Sequence, residues 1–415
     1  MLTNAPKGTK DMLPKDAYKW HYVEKAFEET CRRYGFGEIR TPVFEHTELF
    51  VRGVGGTTDV VQKEMYTWEQ AHRSLSLRPE GTSPVVRSLV ENKLYADMQP
   101  TKVYYDIPCF RYEKPQSGRL REFHQFGVET FGTDDMMADA EIISLASEYL
   151  DKMGITDVEL RINSIGCPTC REEYKKILKE WLAPKYDQLC DTCKGRYETN
   201  PMRILDCKSP EDQKLVEGAP VMLDYLCDDC KAAFEELKED LEAMGIEYTV
   251  DPGIVRGLDY YTKTAFEFIS KNIGAQSTVC GGGRYDYLTE EIGGPHMPGV
   301  GFGLGIERLL ITMEENGVVI PEEEGPDAFI VFVGEAAKKF VIGFASKLRK
   351  QGLFVETDAL ARNVKGQFKY ADRVHAKKTI VIGDDELANG KATVKDMESG
   401  EQHAVKFDKI PELLK

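Results

Sequence analysis
Apolar residues return at three- and four-residue steps between residues 15 and 34, where Trp20, Val23, Phe27, Cys31 and Tyr34 share one face. That spacing predicts an amphipathic helix, ended by Gly35 and Gly37. Residues 39–44 read as an edge or irregular strand, because Pro42 has no N–H to give to a sheet. Extended segments follow at 74–77, 102–110, 121–131 and 159–163. A cysteine-rich helical stretch then runs to about Met244, and strand patterns return at 246–250, 265–269 and 300–304.

Pro321-Glu-Glu-Glu-Gly-Pro326 interrupts this pattern and predicts a linker. Beyond it, short apolar runs at 328–333, 353–357 and 379–382 alternate with helical segments at 335–351 and 364–376. The alternation predicts a small α/β domain with a partly parallel sheet.

A length of 415 residues suits two or three domains, and 41% hydrophobic with 30% charged residues marks a globular chain. No apolar run reaches the roughly 18 residues a membrane span needs. The first residues, Met1-Leu-Thr-Asn-Ala-Pro-Lys-Gly, lack the pattern of a secretory leader, so cytoplasm is the expected compartment. A net charge of −16 argues against indiscriminate binding of nucleic acid, DNA included. Residues 326–415 carry 16 Lys+Arg against 13 Asp+Glu, a balance of +3 that leaves −19 for the rest. A slightly basic tail on an acidic body is suited to touching RNA locally.

Three segments carry chemistry. Arg256-Gly-Leu-Asp259-Tyr260-Tyr261 sets a guanidinium fork beside a carboxylate and two rings, which suits a pocket for a phosphate next to a flat polar group. Between residues 110 and 129, two strand-like stretches flank a polar loop with Pro115 and Gly118. Alternation puts Phe123, Gln125, Gly127 and Glu129 on one face. An adenine could stack on Phe123, an ammonium could meet Glu129, and Arg111 and Arg121 could clamp phosphates; an exposed hairpin is the bland alternative. Gly299-Val-Gly301-Phe-Gly303-Leu-Gly305 offers a strand face without side chains, against which either a flat ligand or a neighbouring strand could lie. A helix beginning near Ile306 would bring Arg308 into its first turn.

The last two segments resemble motifs 2 and 3 of class II aminoacyl-tRNA synthetases, and the helix from residue 15 with the Pro42 strand is a looser match to motif 1, the dimer interface of that class. Ser76-Leu-Arg78-Pro79-Glu80-Gly81-Thr82, the Arg256 segment and Cys280-Gly-Gly-Gly-Arg284-Tyr285-Asp286 are similar to the substrate-contacting stretches of histidyl-tRNA synthetases. The resemblance implies an α+β catalytic core on a mainly antiparallel sheet flanked by helices over residues 1–325, with a helical insertion at about 166–245. An α/β anticodon-binding domain would follow over 326–415. It implies a homodimer that uses ATP with Mg²⁺ to turn L-histidine into histidyl-adenylate and transfers the histidine to the 3′ end of tRNA(His). By the same resemblance Arg111 and Arg308 bind ATP phosphates, Glu113 and Phe123 its adenine side, and Arg256 the α-phosphate. Glu80, Thr82, Gln125, Glu129, Tyr260, Tyr261 and Tyr285 bind histidine. A catalytically inactive histidine sensor is the rival reading, disfavoured by the tail domain and by the presence of all three arginines.

Seven cysteines fall between residues 167 and 230, six of them in Cys-x-x-Cys pairs. Without a secretory leader such pairs point to a metal rather than to disulfides. Four thiolates from Cys167, Cys170, Cys227 and Cys230 would make one structural zinc site that staples the base of the insertion. Cys190 and Cys193 with Cys207 are the competing set, and free thiols or an iron–sulfur cluster the remaining readings.

Overall fold
The strand Glu122–Phe131 has two unlike faces, and the fold is built around that difference. Phe126 and Val128 lie on one side, fully buried; Gln125, Gly127 and Glu129 lie on the other, as period-two alternation requires. The computed structural model describes residues 3–56, 58–205, 207, 209–255, 257–270 and 278–414. The chain divides into two compact units, Met1–Ile320 and Pro321–Lys415.

In the first unit an eight-stranded sheet runs in the order Gly37–Glu38, Thr101–Phe110, Glu122–Phe131, Gly299–Gly305, Thr278–Arg284, Thr262–Ser270, Val158–Ser164, Thr249–Val250. The inner pairings are antiparallel, and the short outermost strands join in parallel. The helix Pro14–Arg33 forms where the apolar spacing put it. With the helix Met137–Lys152 it supplies the core on the Phe126 side. Phe27 stacks on Phe126 at 4.3 Å between centroids, and Tyr149 meets both edge-on. Removal of this apolar surface from water, at about 25 cal/mol per Å², holds the helices to the sheet.

Two expected strands come out differently. Residues 39–43 are not extended into a strand; strands form only at Gly37–Glu38 and Phe44–His46. The reason is Arg78, whose buried guanidinium takes the carbonyls of Thr41 and Pro42 at 2.9 and 3.1 Å and that of Pro108 at 2.7 Å. In the 246–250 stretch only Thr249–Val250 is a strand. Ile246 instead donates its N–H to Leu241, closing the preceding helix after Gly245, which adopts a φ of +71°. The glycine-rich strand Thr278–Arg284 and the helix Met137–Lys152 were not among the expected elements, although Ile142, Leu145, Ala146 and Tyr149 recur at helical spacing.

The cysteine-rich segment builds a core of its own from Tyr174, Leu178, Leu182, Met202, Ile204 and Met222 together with its cysteines. In the second unit a five-stranded sheet runs Val355–Thr357, Ala328–Phe332, Lys378–Ile382, Lys391–Asp396, Gln402–Lys406. Its first three strands are parallel and its last two antiparallel. The helix Glu335–Arg349 buries Val341, Phe344 and Leu348 against Ile330 and Ile380. Among the described residues, no helix is long and apolar enough to cross a membrane.

Candidate active site
Glu129 is 1% exposed, and its carboxylate accepts hydrogen bonds from three hydroxyls: Thr82 Oγ1 at 2.8 Å, Tyr105 at 3.0 Å, and Tyr285. Burial pushes its ionisation up to about 8, an effect the hydroxyl donors oppose. Glycines make room for this cage. A Cβ at Gly301, the strand partner of Glu129, would lie 1.9 Å from Glu129 Oε2. One at Gly303 would lie 2.2 Å from the Gln125 amide nitrogen. The bare strand face is thus filled by the protein's own Glu129 and Gln125 at these two positions, in place of a ligand; Gly305 alone of the three stays open, with Arg308 Cβ at 3.9 Å. Tyr105 is wedged between Gly81 and Gly127, whose Cβ atoms would come within 2.4 and 2.2 Å of its ring.

Glu80 turns its carboxylate to the start of the helix Thr82–Glu91 and accepts the N–H groups of Thr82 at 2.6 Å and Ser83 at 2.8 Å. A negative group suits a helix N-terminus, where N–H groups lack intrahelical partners. The same turn aims the Thr82 hydroxyl at Glu129. Tyr260, Tyr261 and Tyr285 form a ring cluster with centroids 4.6, 5.5 and 6.4 Å apart. Burial raises the Tyr260 and Tyr285 hydroxyls far above their ordinary ionisation, so at neutral pH they remain able to donate.

A second, cationic corner lies along the same strand face. The Arg111 guanidinium stands 5.3 Å from the centre of the Phe123 ring, and its Nε donates to the Pro79 carbonyl at 2.8 Å. Arg308 is half-buried; burial, and next the nearby Arg119 guanidinium, lower its ionisation, with Arg111 also contributing. Glu113 pairs with Arg119 at 2.9 Å. The charges of Arg111 and Arg119 thus both bear on Arg308. Arg121 does not: it stacks on Tyr112 at 3.8 Å and donates to the Glu113 carbonyl.

Other parts of the motifs serve elsewhere. Arg256 lies outside the described residues. Asp259 does not join the tyrosines; its carboxylate accepts from Asn200 at 3.1 Å and borders a cleft of about 350 Å³ shared with Arg171 and Lys175. Arg284 is fully buried, paired with Asp139 and Asp286 and bound to the Thr133 carbonyl at 2.8 Å. It props the site from beneath.

The structure gathers both cysteine sets. Cys167, Cys170, Cys227 and Cys230 bring their sulfurs within 4.8 Å of one another; Cys190, Cys193 and Cys207 do the same with a carboxylate oxygen of Asp212. The residues that the sequence left unmarked are Tyr105, Arg119 and Asp212. Tyr105 had one cue, an aromatic residue placed opposite a strand glycine, Gly127.

A family model described as Histidyl-tRNA synthetase matches residues 8–309, and one described as Anticodon binding domain matches residues 327–415. The chain is 59% identical over 416 aligned residues to the histidine–tRNA ligase of Caldanaerobacter subterraneus subsp. tengcongensis, covering 100% of each. It is 55% identical to the histidine–tRNA ligase of Clostridioides difficile, covering 100% of this chain and 99% of that one. Among solved structures, apo histidyl-tRNA synthetase of S. aureus superposes with a TM-score of 0.85 at 41% identity, over 99% of both chains.

Proposed function
The chain belongs to the histidyl-tRNA synthetase family, and on that premise we propose how its residues activate L-histidine with ATP and pass it, as histidyl-adenylate, to the 3′ end of tRNA(His). Gln125 and Glu129 hold the amino and carboxyl end of histidine. The incoming ammonium takes over from the proton that burial keeps on Glu129. Tyr260, Tyr261 and Tyr285, with Glu80 and Thr82, line the rest of the amino-acid pocket. Imidazole has one donor and one acceptor, and a buried hydroxyl can meet either. An apolar amino acid would leave those hydroxyls unpaired and is rejected for that reason.

Arg111 and Arg308 take the phosphates of ATP, which arrives as a substrate with Mg²⁺; Glu113 and Phe123 take its adenine side. The histidine carboxylate oxygen bonds to the α-phosphorus, and the bond to pyrophosphate breaks. This step drives two anions together, and Arg256 is the cation we assign to the α-phosphate. Such a fixed charge is worth about 10²–10³ in rate. Positioning does the rest, and no covalent bond to the enzyme forms. A ribose hydroxyl of the tRNA then takes the histidyl group and AMP leaves.

We propose residues 1–325 as the catalytic core, carrying the insertion at 166–245, and residues 326–415 as the anticodon-binding domain. The +3 charge of the tail and the family match over 327–415 support that division. A homodimer joined through the motif 1 region is supported by the exposed Val43 and Phe44. Ten free cysteines suit the reducing cytoplasm. One zinc ion on Cys167, Cys170, Cys227 and Cys230 is supported by sulfur separations of 3.5 and 4.0 Å. The edge of a zinc–thiolate tetrahedron is about 3.8 Å. That ion would be structural, pinning the two ends of the insertion.

The observation that carries the reading is one strand face holding both the hydroxyl-ringed Glu129 and the Arg111-covered Phe123. Its test is ATP–pyrophosphate exchange with each of the twenty amino acids in turn. Exchange with histidine alone is expected; exchange with none would favour a histidine sensor and overturn it.

A further inference from the structure
We propose a second metal site in the insertion, one Zn²⁺ held by Cys190, Cys193, Cys207 and Asp212, coexisting with the four-cysteine cluster. The four donor atoms already lie within 4.8 Å of one another, and Cys207 Sγ is 3.2 Å from Asp212 Oδ2. A tetrahedral zinc with one sulfur and one oxygen ligand along an edge asks for about 3.5 Å.

The local architecture is the one used by the first cluster. Cys167 and Cys227 occupy the N-cap positions of the helices Pro168–Leu182 and Asp228–Ala243, so Cys170 and Cys230 fall in their first turns. Cys190 caps the helix Asp191–Thr199 in the same way, with Cys193 in its first turn. Each pair thus stands at the first turn of a helix, where backbone N–H groups lack intrahelical partners. Asp212 comes from the first turn of another helix, Pro210–Leu215, whose N-cap Ser209 accepts the Asp212 N–H.

Asp212 points independently to a cation as the ligand of this cluster. It is fully buried, yet among the described residues no lysine or arginine pairs with it. Its carboxylate accepts the Cys190 N–H at 3.0 Å and meets the thiols of Cys190, Cys193 and Cys207. A buried carboxylate ringed by thiols gains from a positive charge beside it, and a divalent ion shared with those sulfurs supplies one. Leu189, Met202 and Ile204 close the surroundings against water. Three soft thiolates with one carboxylate suit zinc; an iron–sulfur cluster would ask for four sulfurs. On binding, each thiol releases its proton to solvent and a zinc–sulfur bond replaces the S–H bond, with no change of oxidation state.

The experiment is metal analysis of the full-length protein purified under reducing conditions, followed by exchange of the metal for Co²⁺. Two zinc ions per chain are expected, with a cobalt–thiolate charge-transfer band matching seven thiolates. Cys193→Ser and Asp212→Ala should each bind one equivalent, and so should Cys230→Ser through loss of the other site. One zinc per chain, with four cobalt–thiolate bonds in the unaltered protein, would overturn the second site without any variant having to fold. Two zinc ions and an unchanged cobalt spectrum in Asp212→Ala would remove Asp212 as a ligand.

Discussion
The carboxylate of Glu129 occupies the volume that a side chain at its strand partner Gly301 would need, with Oε2 1.9 Å from the site of that Cβ. The Val128 carbonyl lies 2.3 Å away on the backbone side, so the conflict has no easy relief. Gly301→Ala should lose about 1–3 kcal/mol of stability, as overpacked cores do. Histidine-dependent pyrophosphate exchange should fall by at least about tenfold as Glu129 is displaced. Gly305→Ala, which meets only Arg308 Cβ at 3.9 Å, should stay near the parent in urea unfolding. Equal stability of the two variants would contradict this geometry.

The raised ionisation of Glu129 makes stability fall with pH. In the unfolded chain the carboxyl titrates near 4.5; in the folded apo protein it holds its proton to about 8. Below 4.5 both states are protonated and burial costs nothing extra. Between 4.5 and 8 the folded state binds more protons, so folding is progressively weakened as pH rises, and the loss is complete above 8. Glu129→Gln removes this dependence. Its stability relative to the parent should therefore improve by a few kcal/mol between pH 5 and pH 8, read by urea unfolding without ligands. A constant difference across that range would show that Glu129 titrates normally.

The Arg111 guanidinium donates to the Pro79 carbonyl and faces the Phe123 ring, and among the described residues no ion pair ties it down. Arg111→Ala should leave the circular dichroism spectrum and unfolding midpoint nearly unchanged while lowering histidyl-adenylate formation about 10²–10³-fold. Arg256→Ala should behave alike. Single-turnover quench-flow is the measurement, and a near-parental rate in either variant would remove that arginine from the phosphate role.

Arg284 should give the opposite signature. Both members of its pair with Asp139 are shut off from water. Asp139→Asn leaves a buried guanidinium short of its countercharge and should cost about 3–5 kcal/mol. A loss below about 1 kcal/mol would place the pair at a solvated surface, where such contacts contribute little.

The strands Thr101–Phe110 and Glu122–Phe131 were legible because each alternates between an apolar layer and a polar pocket. So was the placement of Phe123, Gln125 and Glu129 on one face. Motif contiguity was a poorer guide. Tyr285 enters the tyrosine cluster while adjacent Arg284 is tied to Asp139, and Tyr260 enters it while adjacent Asp259 faces Asn200. Neighbours in an extended or turning chain point opposite ways, so one run of residues furnishes both ligand contacts and scaffold. Arg119 was missed because it stands in a loop, where no periodicity tells which guanidinium turns inward. Asp212 was missed because one acid among seventy has no spacing rule.

Tyr105 is held between two glycines, Gly81 and Gly127, with no slack on either side. Neither glycine can gain a side chain while the tyrosine stays, and losing the tyrosine alone strips a donor from Glu129. Reshaping this wall for a different amino acid therefore takes coordinated replacements whose single intermediates are each impaired. Evolution by independent steps meets a barrier here, and laboratory efforts to retarget the pocket should vary positions 81, 105 and 127 as a set.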